Sequence, residues 1–163
     1  MTVIDVSRDP EELTLTMVLE FPHPVERVWQ LYADPRQLER WWGPPGWPAT
    51  FETHDFRPGG RAAYHMTGPD GEKAPGWWEF TAIDAPRSLE IVDGFADESG
   101  QPVQGELNTT FTVAFDEIPA GTRVTSVTRF ASAEQLEQLV SMGMEEGMRL
   151  GAEQMDAVLA EAV

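Results

Sequence analysis

Residues 132–159, SAEQLEQLVSMGMEEGMRLGAEQMDAVL, decide the fold. Leu136, Val140, Met144, Met148, Met155, Val158 and Leu159 recur at intervals of mostly three, four or seven, which gathers them on one face of a helix. Ser132 with Gln135 three residues later approximates a capping box, so the spacing predicts one long amphipathic helix from about residue 133 to 161. Gly143, Gly147 and Gly151 recur every four residues within it, and each costs about 1 kcal/mol against alanine in a helix interior. Small residues along one stripe allow close approach, either by a neighbouring sheet or by a bound molecule.

Upstream of this helix the pattern changes to strands and turns. Strands are expected at Thr50–Arg57, Arg61–Thr67, Trp77–Ile83, Ser88–Phe95, Glu106–Phe115 and Arg123–Phe130. They are separated by turn chemistry such as Pro58-Gly59-Gly60, Gly68-Pro69-Asp70-Gly71, Ala85-Pro86 and Glu98-Ser99-Gly100. Further upstream, Leu13 to Phe21 alternates as a strand. Pro24 then opens a helix carrying Val25, Val28, Trp29 and Tyr32, and Asp34-Pro35 caps a second short helix through Leu38, Trp41 and Trp42. The order is strand, two short helices, six strands, long helix. The predicted class is α+β, with the long helix laid across the concave face of a curved antiparallel sheet. The space between is filled by side chains or left as a cavity.

The 163 residues fit one domain spanning 1–163. Eleven Lys+Arg against 28 Asp+Glu give a formal net charge of −17, which repels phosphate backbones and anionic lipids. Nucleic-acid and membrane partners are therefore not expected. There is no cysteine, which removes disulfides, thiolate metal sites and thiol catalysis. No stretch is apolar for long enough to span a bilayer, and Met1–Asp9 carries no visible secretion signal. A cytoplasmic protein, monomer or homodimer, is the expectation.

The series Phe21-Pro22-His23-Pro24-Val25-Glu26-Arg27-Val28-Trp29, Asp34-Pro35, Leu38 and Trp41-Trp42-Gly43-Pro44 resembles the opening of the START-like SRPBCC superfamily. The resemblance is to the branch homologous to the C-terminal domain of the activator of the heat-shock-protein-90 ATPase. Asp55-Phe56-Arg57-Pro58-Gly59-Gly60, Met66, Gly68-Pro69-Asp70-Gly71, Gly121-Thr122-Arg123-Val124-Thr125 and the Gly143…Gly147 segment continue it over nearly the whole chain. The resemblance implies a helix-grip fold with an apolar cavity between sheet and long helix, in a family consisting mostly of small-molecule binders or proteins of unknown role. Met148 stands where that branch often has tryptophan, and Ala82-Ile83 where a Glu-Ile pair is frequent. Both departures reshape the expected pocket.

If Gly59-Gly60 form a two-residue hairpin turn, His54 lies opposite His65, Asp55 opposite Tyr64 and Thr53 opposite Met66. A cross-strand His pair with Glu52 as the one further candidate is an incomplete ligand set, so no metal is expected. Phe51, Thr53, Asp55, Tyr64 and Met66 would share the other face, apolar with a few orienting polar groups. Asp55 and Arg57 either contact a ligand or pair with each other. With Trp78, Phe80, Met144 and Met148 these residues make the expected cavity wall. Trp42 and Trp47, flanking a Pro/Gly loop, are the candidate gate. Phosphate-loop, dinucleotide, nucleophile-elbow and His-Glu-x-x-His patterns are all missing, so no cofactor is expected and no catalytic residue is assigned. Three functions stay open. One is binding of a small apolar or amphipathic ligand. Another is a cyclase- or aromatase-like enzyme using Asp55 or Glu79 with Tyr64, and the third is a co-chaperone-like interaction domain.

Overall fold

The computed structural model describes residues 3–43, 45–97, 99 and 108–161. Its elements run β1 (Val3–Asp9), β2 (Thr14–Phe21), α1 (Val25–Ala33), α2 (Pro35–Trp42), β3 (Ala49–His54), β4 (Arg61–Thr67) and β5 (Lys73–Asp84). They continue with β6 (Ser88–Phe95), β7 (Thr109–Ile118), β8 (Gly121–Arg129), α3 (Ala133–Ser141) and α4 (Met144–Leu159). The strands form one curved antiparallel sheet in the order β1-β2-β8-β7-β6-β5-β4-β3. The fold is α+β, as expected. Glu98, Gly100 and Glu106, parts of the expected turn and strand, lie outside the described residues.

Alternation sets the inner face. Leu15, Met17, Leu19 and Phe21 of β2 are buried, as are Thr122, Val124, Ser126 and Thr128 of β8. On α1 the buried residues Val25, Val28, Trp29, Leu31 and Tyr32 follow helical spacing. Asp34 caps α2 by accepting from the Arg36 N–H, and Pro35 opens its first turn without leaving a donor unsatisfied. Trp41 Nε1 donates to the Leu31 carbonyl at 2.8 Å and locks the two short helices together. Helix α4 is tied to them at three points. Arg27 donates to the Val158 carbonyl at 2.8 Å, and Gln154 to the carbonyls of Gly43 at 2.6 Å and Trp41 at 3.3 Å.

Three features differ from the expectations. Strand β1 was not expected, because Asp5, Ser7, Arg8 and Asp9 break its alternation; it pairs with β2 at the sheet edge. The long helix is two helices, divided at Met142-Gly143, where Gly143 takes φ 91°. The β3–β4 register is not that of a two-residue turn. Phe51 faces Tyr64, Ala49 faces Met66, and a bulge between Phe51 and Thr53 reverses which side chains point inward. Among the described residues no helix is long and apolar enough to cross a membrane.

Candidate functional site

Between the sheet and α4 lies a cavity of about 260 Å³. The sheet contributes Met17, Tyr64, Asp93, Phe111, Ser126 and Thr128, and α4 contributes Met144, Gly147, Met148, Gly151 and Met155. Tyr32, Trp41 and Trp42 close one side. Adjoining space of about 310 Å³ shares Tyr64, Met66, Asp93, Phe95, Thr109 and Met144, and reaches Leu139, Met142 and Gly143 at the α3–α4 junction.

Among the described residues the one carboxyl in this wall is Asp93. Leu89 and Ile91 of β6 point inward, so the period of two carries Asp93 inward as well. Its neighbours in register are Trp78 on β5 and Thr109 on β7. The Tyr64 hydroxyl donates to Asp93 Oδ1 at 3.2 Å. Gly76 makes that reach possible: it pairs with Tyr64, and a Cβ there would come within 2.4 Å of the Tyr64 ring.

Electrostatics follow from burial. Asp93 is pushed up to about 7, because loss of solvent outweighs the Tyr64 hydrogen bond and the nearby Trp78 indole and Gly94 N–H groups. Burial also holds the Tyr64 hydroxyl well above its ordinary range, and the Asp93 charge adds to this. The indole N–H groups of Trp42, Trp77 and Trp78 are buried without a hydrogen-bond partner among the described residues. Those of Trp42 and Trp78 lie near enough to the Tyr64 hydroxyl and the Asp93 carboxyl to favour the ionised forms, but not in hydrogen-bonding geometry.

The structure sorts the residues singled out from the sequence. Tyr64, Met66, Met144, Met148 and Trp42 line the cavity. Phe51, Trp78 and Phe80 do not; they form the buried layer behind its wall, with Phe51 stacked on Tyr64 at 4.9 Å and Trp78 against Trp42 at 4.7 Å. Thr53 and Asp55 are not wall residues either. The bulge turns Thr53 outward, and Asp55 forms an ion pair with Arg57 at 2.8 Å. Glu79 pairs with Arg61 at 3.4 Å on the outer face. Trp47 packs over Gly68 away from the wall, and Trp42 is held by the rings of Trp41, Tyr64, Trp78 and Phe111, so neither is a free gate.

The histidines separate as well. His54 turns inward, within 3.2 Å of the Tyr32 carbonyl and stacked on Phe56 at 5.4 Å, while His65 pairs with Glu52. Desolvation lowers the His54 pKa despite that carbonyl. Since His54 pairs with Ala62 and His65 with Thr50, the expected cross-strand His pair does not form. Among the described residues no group of three or more acidic or histidine side chains could hold a metal ion. The glycine stripe divides by position. Gly151 packs against the Trp41 carbonyl, where a Cβ would sit 2.9 Å away, whereas Gly147 borders the cavity with no described residue within 4 Å of that point.

The sequence model of one family, described as Activator of Hsp90 ATPase homolog 1-like protein, matches residues 22–160. The chain belongs to this family. A protein from Arthrobacter aurescens solved by NMR is 56% identical, with a TM-score of 0.93 over 99% of this chain and 94% of that one. A crystal structure from Mycobacterium smegmatis is 54% identical, with a TM-score of 0.88 over 96% and 97%. An Activator of Hsp90 ATPase homolog 1-like protein from Aeromonas hydrophila shares the fold at 22% identity, with a TM-score of 0.69 over 92% and 97%. Among curated proteins none matches.

Proposed function

We propose that the protein binds a small apolar or amphipathic molecule in the cavity between α4 and the sheet. The observation that carries this reading is the composition of the wall. Methionines and aromatic rings form most of it, and its polar groups, Tyr64, Asp93, Thr109, Ser126 and Thr128, come from β4, β6, β7 and β8. Apolar pockets with a few convergent polar groups orient small ligands. Three α4 methionines give one wall the flexibility to fit several shapes. Family membership supports the same reading. With a net charge of −17, uncharged and cationic ligands are favoured over anionic ones. The test is a panel of hydrophobic probes followed by tryptophan fluorescence and thermal shift. Wild type is stabilised by at least one probe, while Tyr64→Ala and the cavity-filling Met144→Trp lose that effect. Equal binding by both variants, or no stabilised complex, rejects the reading.

A second reading, an enzyme acting on an apolar substrate, is favoured by Asp93 with Tyr64 in place of the expected Asp55 or Glu79. An acid titrating near neutrality suits general base work, and a buried tyrosine hydroxyl can donate to a carbonyl oxygen. Deuterium exchange at carbon next to the carbonyl of a bound ketone, lost in Asp93→Asn, is its signature.

A further inference from the structure

Asp93 is an ion pair with one member missing. None of the chain's 11 lysines and arginines and none of its three histidines lines the cavity or the space adjoining it. An ionised carboxylate has about four acceptor positions, and Tyr64 fills one of them. The donors gathered around it, the Tyr64 hydroxyl, the Trp78 indole and the Gly94 N–H, all favour its charged form. A charge held out of water is costly until an opposite charge meets it. The rings about it supply more of what a cation needs. Trp42 and Tyr64 have centroids 6.0 Å apart, Trp42 and Phe111 stack at 6.1 Å, and all three rings line the cavity. Aromatic faces attract ammonium groups, most strongly where water is excluded.

We infer that the cavity takes an apolar amine, its protonated nitrogen against the Asp93 carboxylate within the rings of Trp42, Tyr64 and Phe111, its apolar body along the methionines of α4. This rests on the reading that the cavity binds small molecules and names their chemical class. A net charge of −17 steers cations toward the protein. A neutral ligand leaves the carboxylate unmatched, and an anionic one adds a second negative charge beside it.

The pairing makes binding depend on pH in a defined direction. Among the described residues Tyr64 is the titratable group bonded to Asp93, and Tyr32 of α1, kept protonated by its burial, is the other on the cavity wall. The packed elements otherwise present Trp78 from β5, Thr109 from β7, Trp42 from α2, and Met144 and Met148 from α4, none of which titrates. Asp93 titrates near 7 in the free protein, so an amine must displace its proton below that pH. Amine affinity therefore falls on the order of thirtyfold between pH 8 and pH 5.5, and binding near pH 6.5 releases on average about three-quarters of a proton.

The experiment uses four probes with one apolar body: 1-methylnaphthalene, 1-naphthalenemethanol, 1-naphthylmethylamine and 1-naphthoate. Titration calorimetry at pH 8 is expected to show the amine at least about tenfold tighter than the alcohol, with naphthoate weakest. In Asp93→Asn the amine falls to within about twofold of the alcohol. Wild type, which needs no variant to fold, shows the loss of amine affinity at pH 5.5 and proton release across buffers of different ionisation enthalpy. An alcohol or hydrocarbon that binds as well as the amine overturns this inference and leaves the cavity reading standing. So does amine affinity that ignores pH or Asp93→Asn. Failure of all four probes overturns both.

Discussion

Four strands, β2, β6, β7 and β8, contribute to two unlike regions on the inner face of one sheet. At one end, Phe21, Phe80, Ile91, Val113, Phe115 and Val124 are almost wholly buried. Trp29 meets Phe115 edge-on at 5.0 Å there, and Phe56 meets Phe80 at 5.1 Å. Two residues along β6, β7 and β8 the wall of the cavity begins: Ile91 gives way to Asp93, Val113 to Phe111 and Val124 to Ser126. The helices repeat the division. Gly151 brings α4 against Trp41, while Gly147, one turn away, leaves space. The fold concentrates its packing in one half, which lets the other half leave a half-buried acid and an unfilled volume.

The largest test of that division is core truncation. Phe80→Ala should cost about 3–5 kcal/mol in chemical denaturation, whereas Met148→Ala, beside existing empty space, should cost under about 1.5 kcal/mol. Equal losses would break the comparison.

Asp93→Asn is next. The folded carboxyl titrates near 7, above the unfolded value of about 3.9, so the native state holds a proton that the unfolded chain has released. Its contribution to stability is fully present below about pH 4 and is lost as pH rises through about 7. The unliganded variant should therefore exceed wild type at pH 8 by on the order of 2 kcal/mol and show no such advantage at pH 4.

The two helix glycines should differ in sign. Gly151→Ala presses a methyl on the Trp41 carbonyl and should destabilise by about 1 kcal/mol. Gly147→Ala meets nothing and should stabilise by about 0.5–1 kcal/mol through helix propensity. Thermal melts of both variants check this. The smallest effect is expected from Tyr64→Phe. It removes a hydrogen bond that favours ionised Asp93, so the carboxyl's titration midpoint, followed by carbon NMR, should move to higher pH.

The architecture was legible because its signals are local. Alternation in β2 and β8, the Asp34 and Ser132 caps and the proline and glycine turns each act within a few residues. The departures have tertiary causes. A bulge between Phe51 and Thr53 leaves no mark in composition, yet it exchanges His54 and Thr53 between faces. The four-residue spacing of Leu136, Val140, Met144 and Met148 runs straight across the break at Gly143, so periodicity hides it. Asp93 was readable from the rhythm Leu89, Ile91, Asp93, but an acid in a strand reads as solvent-facing until its neighbours are placed. Thr109, Ser126 and Thr128 were hidden by the same habit.

The break at Met142-Gly143 divides the helical cover into two cooperative units. Helix α4 is anchored by Arg27 and Gln154 and buries Gly151, Ala152, Met155, Val158 and Leu159. Helix α3 rests on a separate small cluster of Leu15, Phe130, Leu136 and Leu139, held further by Gln135 reaching the Asn108 carbonyl at 2.7 Å. Segments with fewer buried contacts open at lower free energy than the whole molecule. Amide hydrogens of α3 should accordingly exchange before those of α4 and the central strands. Because Leu139, Met142 and Gly143 border the space beside Asp93, each such opening uncovers that end of the cavity. Under the proposed ligand-binding function, residence times should then follow the local opening of the nine residues of α3 rather than global unfolding.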